Sequence, residues 1–295
     1  MERYTMAYQP QRTSPLALFE NGTRSQLAHL QRVFAQDYGC LRAPHAHENT
    51  VELVLITNGT GVFSINGVRI PMCRGQLAIY NSGIVHEEQF TERNDFSCFS
   101  CSIYGLHRKG LRPNALIPDD MFPRFDTGSH FHEIEQLIEA MLSQYAAPMP
   151  HSEGTAQLLL WALLSMVIDL TGQPQSDIPV ETQDSLICES VKRYIDRHFS
   201  EELTLQMIAD AVHISVSHMS HVFKAKVGYS PLQYIVHRRI GEAQTLLETT
   251  DLSATSIGMA VGFPNPSYFN VIFNKKCNMT PLKYRKIYAL EKSGE

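Results

Sequence analysis

Nothing in this 295-residue sequence approaches the roughly eighteen uninterrupted apolar residues of a membrane-crossing helix, and the opening MERYTMAYQPQR has no apolar core of a secretion signal. Neither a membrane span nor a signal peptide is therefore expected, which implies a cytoplasmic location and no membrane partner. No Gly-rich phosphate loop and no nucleophile elbow occur. Tryptophan is found once, as Trp161, and cysteine only six times, at positions 40, 73, 98, 101, 188 and 277. The one Cys-x-x-Cys pair, Cys98 and Cys101, lies in FSCFSCSIY, whose alternation reads as a strand and sends the two sulfurs to opposite faces. Packed, reduced thiols are expected there, not a metal or redox pair.

Basic charge is scarce as well. The formal net charge is −5, yet from Asp184 onward 13 Lys and Arg stand against 11 Asp and Glu, while the preceding residues hold 12 against 19. The acidity belongs to the N-terminal part. A surplus of two is no polycation, so phosphate contacts would rest on local clusters: Lys224/Lys226, Arg238/Arg239, Lys275/Lys276 and Lys283/Arg285/Lys286. With 43% hydrophobic and 19% charged residues, the composition is that of a soluble globular protein long enough for two domains.

What the sequence does have is a repeat. Ile208-Ala209, Val212, His213 and Ile214 return 49 residues later as Ile257-Gly258, Val261, Gly262 and Phe263; Met219, Val222 and Phe223 return at an offset of 50 as Phe269, Ile272 and Phe273. Each copy reads as two short helices across a tight turn. His213 and Gly262 sit at the turn, where both types tolerate a left-handed backbone. Met219, Val222 and Phe223 form the buried stripe of the second helix, and Ser217, Ser220, His221 and Lys224 a polar stripe opposite it. This is the layout of a helix-turn-helix, whose second helix enters the DNA major groove. Between the copies, Ser230-Pro231 starts a helix with no breaker before Thr249. About eighteen residues at 1.5 Å rise span about 27 Å, which would hold two recognition helices near the roughly 34 Å repeat of successive major grooves.

At these positions the sequence resembles the AraC/XylS transcription regulators. The likeness covers about 191–288 and rests on Tyr194-Ile195, His198-Phe199, Ser215, Phe223-Lys224, Gly228, Arg239-Ile240, Ala243, Leu246-Leu247, Val261-Gly262-Phe263, Ser267-Tyr268-Phe269, Phe273, Thr280-Pro281 and Tyr284-Arg285. It implies that Ser217, His218, Ser220, His221 and Lys224 of the first unit, and Pro266, Ser267, Tyr268, Asn270 and Val271 of the second, contact double-stranded DNA. Three residues depart from the pattern: Val271 and Asn274 stand where Arg and Lys are common, which implies weaker binding by the second unit, and Asn278 replaces a Gly cap.

From about Val33 to Phe125 the pattern is β: VELVLIT, GVFSI, VRI, QLAIY and FSCFSCSIY, with Asn66-Gly67 as a tight-hairpin signal. Short strands without helical spacers indicate an antiparallel barrel or jelly roll; the turn-rich arm up to about Arg32 carries no assignable chemistry. Gly39, His45, His47, Glu52 and Gly59, then Gly75, Gly83 and His86, are spaced as in the two motifs of the cupin fold, with Asn81 where Pro is usual and Phe90 where Asn is frequent. The resemblance implies that His45, His47, Glu52 and His86 line a small-molecule effector pocket or hold a divalent metal such as Zn, Ni, Mn or Fe; no cofactor is required. His45 and His47, two apart on a strand, are expected to share one face.

After the barrel, residues 126–172 change to helical period. Ile134, Leu137, Ile138, Met141, Leu142 and Tyr145 make one stripe, and LLLWALLSMVIDL makes a second helix that is apolar nearly all round. Core packing and a dimer interface are both open readings of that helix. The expected organisation is α+β multidomain: an N-terminal arm and cupin-like barrel over 1–125, a helical dimerisation hairpin over 126–172, a linker over 173–184, and an all-α double helix-turn-helix over 185–290, with units at about 203–226 and 253–276. The expected function is a homodimeric transcription regulator, an activator by the family's commoner habit, that answers a small polar effector such as a sugar and works with RNA polymerase. The competing class is a cupin metalloenzyme, an isomerase or dioxygenase, fused to a DNA-binding module.

Overall fold

The computed structural model of the protein describes residues 19, 25–35, 43–65, 68–89, 95–173, 175 and 183–288. Its strands are β1 (Gln26–Phe34), β2 (Thr50–Asn58), β3 (Thr60–Ile65), β4 (Val68–Cys73), β5 (Gln76–Tyr80), β6 (His86–Gln89), β7 (Ser97–Tyr104) and β8 (Arg124–Asp126). They form two antiparallel sheets, in the orders β1-β7-β2-β5-β8 and β4-β3-β6. In the central strands, parity decides what each residue touches. On β2, Val51, Leu53 and Leu55 pack towards the helices that cover the large sheet, while Val54 and Ile56 pack towards the small sheet, on the face that Glu52 shares. On β7, Cys98 joins the core between the sheets and Cys101 the core under the helices. The two thiols thus lie on opposite faces, and burial pushes that of Cys101 up to about 12.

One strand expectation needs correction. The arm does not run unpatterned to Arg32, because Gln26–Phe34 pairs with β7 along its length. A register shift between Leu27 and His29 breaks the alternation that would have shown it, leaving Leu27 and Leu30 against the helix-side core. β3 and β4 meet with Ile65 opposite Val68, as a two-residue hairpin requires, but Asn66 and Gly67 themselves lie outside the described residues, as do Gly39, Cys40 and Phe90.

Helices α1 (Phe131–Ala146) and α2 (Ser152–Thr171) pack on the outer face of the large sheet through Ile134, Ile138, Met141, Leu160, Leu163, Leu164 and Val167. By length and composition α2 could cross a membrane, the one such helix among the described residues; in the fold its apolar stripe is core instead. Of the stretch read as a linker, residues 174 and 176–182 lie outside the described residues, and α3 starts at Gln183.

The remaining helices are α3 (Gln183–His198), α4 (Leu205–Ala211), α5 (Val216–Val227), α6 (Pro231–Thr249), α7 (Ala254–Ala260), α8 (Pro266–Cys277) and α9 (Pro281–Tyr288). The sequence repeat reappears as a repeat of hydrogen bonds. Ile214 N–H donates to Ala209 O at 3.1 Å, and Phe263 N–H to Gly258 O at 3.0 Å; Met219 N–H donates to Ser215 O, and Phe269 N–H to Asn265 O. The two turns share the left-handed backbone, with φ 57° at His213 and 91° at Gly262. Thr204, Ser215, Ser253 and Asn265 each cap a helix start with a side-chain oxygen, and Ser230 with Gln233 forms a full capping box on α6, the helix that joins the units.

Candidate functional site

The two recognition helices, α5 and α8, each bury one face and offer the other. On α5, Met219, Val222 and Phe223 are buried while Ser217, His218, His221 and Lys224 are exposed and Ser220 half-buried. On α8, Phe269 and Phe273 are buried, whereas Ser267, Tyr268, Asn270 and Val271 are exposed and Pro266, at the first turn, is half-buried. The outward faces differ in chemistry: α5 offers hydroxyls, imidazoles and an ammonium, and α8 has the 64%-exposed Val271 at its centre. Asn278 adopts the left-handed cap at φ 54°, as Gly228 does at 87°.

Several cations read as phosphate contacts are spent internally. Arg238 is buried, pairs with Asp196 at 3.0 Å and donates to Pro44 O at 2.9 Å. Arg239 donates to Phe199 O and Glu201 O, and Arg285 to Leu247 O and Leu252 O. Lys224, Lys226, Lys275, Lys283 and Lys286 remain on the surface.

In the barrel, His45, His47, Glu52 and His86 converge, with one donor atom from each within 4.8 Å of the others. The route is not the expected one. His45 and His47 do not lie on a strand: His45 makes a single two-bond bridge with His86, its N–H donating to His86 O at 3.0 Å and its carbonyl accepting the His86 N–H at 2.9 Å. Glu52 comes from β2 and His86 from the start of β6. Glu52 is buried; its Oε1 accepts from Ser100 Oγ at 2.6 Å, and its Oε2 lies 3.1 Å from Nε2 of both His47 and His86. Tyr80 stacks on the His86 ring at 4.0 Å.

The tautomers follow from the partners. Nδ1 of His45 and of His86 each face a backbone carbonyl at 3.0 Å, Ala43 O and Ile84 O, and a carbonyl can only accept. Nδ1 therefore carries the proton, and Nε2 of His86 then faces a carboxylate with its lone pair unless a second cation, a proton or a metal ion, sits between them. Burial opposes ionisation of Glu52, but hydrogen bonds and charge from His47 and His86 outweigh it and hold the carboxyl well below its usual range. Burial likewise opposes protonation of His86, and Glu52 overcomes that and raises it. A second ring nitrogen anchored on a carbonyl, leaving Nε2 directed inward, is also how metal-ligating histidines are held.

Ser100 and Tyr80 escaped the sequence motifs, although strand parity places both on the interior face with Glu52. Asn81, expected at a motif position, serves the fold: its amide donates to Ile117 O and Asp119 Oδ1 and accepts from Leu116 N–H. His47 and Glu52 open into a cavity of about 340 Å³, within the usual range of roughly 300–1,000 Å³ for small-ligand sites. Its other walls include Gln31, Ser100, Thr245 and Tyr284.

A barrel that opens at His47 and Glu52 into a cavity of ligand size, joined to a pair of helix-turn-helix units with exposed outward faces, defines a ligand-binding protein that reads DNA. Comparison with known proteins agrees: residues 28–164 match the AraC-like ligand binding domain and residues 208–287 a helix-turn-helix domain. Similar proteins include the HTH-type transcriptional regulator YdiP of Escherichia coli, 22% identical over 275 residues covering 91% of this chain and 88% of that protein. The HTH-type transcriptional regulator YdeC of Bacillus subtilis is 29% identical over 82% of this chain and 86% of its own length, and the E. coli HTH-type transcriptional activator RhaS is 23% identical over 82% and 87%. Among solved structures, the C-terminal domain of AraT, a response regulator from Geobacillus stearothermophilus, covers 39% of this chain and 95% of its own at 28% identity and a TM-score of 0.37. The chain belongs to the AraC family of transcription regulators and combines a cupin-like ligand-binding domain with a helix-turn-helix DNA-binding domain.

Proposed function

We propose that the chain is a cytoplasmic, homodimeric activator that takes a small polyhydroxylated effector, such as a sugar, in the cavity at His45, His47, Glu52 and His86 and reads two successive major grooves with α5 and α8. Its parts are an N-terminal arm and barrel over 1–125, a dimerisation hairpin over 126–172, a linker over 173–184 and a DNA-binding part over 185–290, and it acts with RNA polymerase at the promoter. The single observation that carries the reading is the two-faced α5, apolar towards the core and hydrogen-bonding outward, repeated in geometry by α8. RhaS, similar over most of its length, is named an activator. No catalysis is proposed, since isomerase or dioxygenase chemistry gives a double helix-turn-helix nothing to do.

A divalent ion in the same pocket is a second reading, favoured by the inward Nε2 atoms. His45, His47, Glu52 and His86 would hold it, and it would supply a positive charge on which ligand hydroxyls align; three imidazoles and one carboxylate suit Zn, Ni, Mn or Fe. Metal analysis of the protein before and after dialysis against EDTA decides between this ion and a proton.

The DNA reading is tested by selecting binding sites from a random duplex library with the full chain. Ser220→Ala and His221→Ala are each expected to lower affinity for the selected site by about 1–3 kcal/mol and to relax the sequence at one position, whereas Lys224→Ala weakens all sequences evenly. Because Val271 has no donor or acceptor, the half-site read by α8 should tolerate more mismatches than that read by α5. A selected site stricter in its second half than its first would overturn this ranking.

The dimer reading rests on the side of the hairpin turned away from the sheet, where Leu158 and Met149 are 72% exposed and Tyr145 50%. Sedimentation of the full chain at tens of micromolar should give a dimer, and Leu158→Glu a monomer of unchanged circular dichroism. A monomeric wild type would rule the interface out.

A further inference from the structure

The cavity beside His47 and Glu52 is not enclosed by the barrel alone. One wall is built from β1, β2 and β7, with Gln31, Glu52 and Ser100; the facing wall is α6 and α9 of the DNA-binding half, with Thr245, Glu248 and Tyr284. Glu248 accepts the Tyr284 hydroxyl at 2.7 Å, so both polar groups are fixed in position across from the barrel. On the barrel wall, the Thr50 hydroxyl is buried and has no hydrogen-bond partner among the described residues.

The same segment that carries the pocket histidines is the seat of α6. Pro44 O accepts from Arg238 at 2.9 Å, Ala43 N–H donates to Gln244 Oε1 at 3.1 Å, and the Ala43 carbonyl holds the His45 ring. Gly241 lies against this turn so closely that a Cβ there would overlap the Pro44 carbonyl oxygen and lie 2.9 Å from that of Ala43. Only glycine fits at that point of α6 while the halves are docked. Farther along the seam, Lys192 donates to Ser64 Oγ at 3.3 Å, and Gln89 donates to the Tyr229 hydroxyl at 3.0 Å. The helix that spaces the two recognition helices is therefore one residue away from His45.

We infer that the effector site is a two-domain site: a polyhydroxylated ligand is held between Glu52 and Ser100 of the barrel and Glu248, Tyr284 and Thr245 of the DNA-binding half, and its occupancy strengthens the docking of α6 on the turn at 43–45. The ligand class comes from the walls. Opposed carboxylates and hydroxyls suit vicinal hydroxyl groups, and Val33, Phe34 and Tyr288 suit the C–H faces of such a molecule. The inference rests on the effector reading above and adds the second wall. By linkage, a ligand that touches both halves must favour the docked arrangement, and anything that undocks the halves must weaken the ligand by the same factor.

The test uses the full chain and a panel of free aldoses and alditols, screened by melting-temperature shift and measured by titration calorimetry. Glu52→Gln, Glu248→Gln and Tyr284→Phe are each expected to lower affinity for the binding member about tenfold or more, as loss of a charge-assisted hydrogen bond does. Gly241→Ala, which adds no atom to the cavity lining, keeps the carbonyl that accepts the Thr245 hydroxyl and improves helix propensity, should also weaken it and should speed amide exchange in α6 and at 43–47; the bound sugar should slow that exchange in the wild type. If Glu52→Gln loses binding while Glu248→Gln, Tyr284→Phe and Gly241→Ala keep wild-type affinity, the site belongs to the barrel alone and this inference fails while the effector reading stands. If Glu52→Gln binds normally, or no panel member binds, the pocket or its ligand class is wrong and both fall.

Discussion

Gly262→Val is expected to destabilise the protein by several kcal/mol and to disable both recognition helices, not only the second. Two costs add. A β-branched residue at φ 91° sits in the left-handed region it avoids, at about 1–3 kcal/mol. Its Cβ would also lie 2.5 Å from the Ser200 carbonyl oxygen, which is backbone and cannot swing away; overpacking of this kind costs roughly 1–3 kcal/mol more. Ser200 lies between α3 and α4, so the turn of the second unit is wedged against the entry to the first. At the equivalent turn, His213 already occupies φ 57° and is exposed; His213→Gly should change stability by about 1 kcal/mol or less. Denaturant unfolding of the two variants measures the contrast, and a Gly262→Val protein as stable as His213→Gly would refute the wedge.

The contrast also shows what a sequence can and cannot reveal. The double unit was legible because its signals are local: a left-handed residue at each turn, a capping residue ahead of each helix, and apolar residues three and four apart. The pocket residues were legible through spacing, but not their route, since His45 is held by one isolated bridge to His86 and not by a strand whose alternation could be read. β1 was hidden by Gln26, His29, Gln31 and Arg32 and by the shift beside Leu27, which together erase the period of two. Ser100 could have been found, because alternation along FSCFSCSIY puts it on the face of Cys98 and away from Cys101. The seam between the halves left no trace. Arg238 reads as a phosphate cation, and nothing local announces that Asp196, 42 positions earlier, and Pro44, 194 positions earlier, claim it instead.

That seam sets the second large effect. Asp196→Ala is expected to cost about 3–5 kcal/mol, the usual penalty for leaving a buried charge without its partner. Asp196 accepts from Arg238 Nε at 3.0 Å and from the Tyr234 hydroxyl at 3.1 Å, and its charge also steadies Lys192, buried over the Tyr234 ring at 4.8 Å. Removing the carboxylate takes the nearest anion from two buried cations, leaving Arg238 only Glu242 at 3.9 Å and Lys192 only the charge of Glu87, whereas removing Lys192 takes no anion from any other cation, so Lys192→Met should be nearly neutral or stabilising. The pH dependence separates the two causes. Burial lowers Lys192 to about 8, against an ordinary value of 10.5, with Asp196 and Glu87 working the other way. The folded state thus binds fewer protons than the unfolded state between those values, and the cost of the buried ammonium is fully present below pH 8 and relieved as pH rises. In Asp196→Ala the lysine loses an anion and titrates lower still, so its relief begins earlier. The stability gap between wild type and Asp196→Ala should accordingly be widest near neutral pH and narrow as pH approaches 8, leaving the share due to Arg238. Denaturant unfolding at a series of pH values reads this directly; a gap that stays constant to pH 8 would assign the whole loss to Arg238 and Tyr234 and none to Lys192.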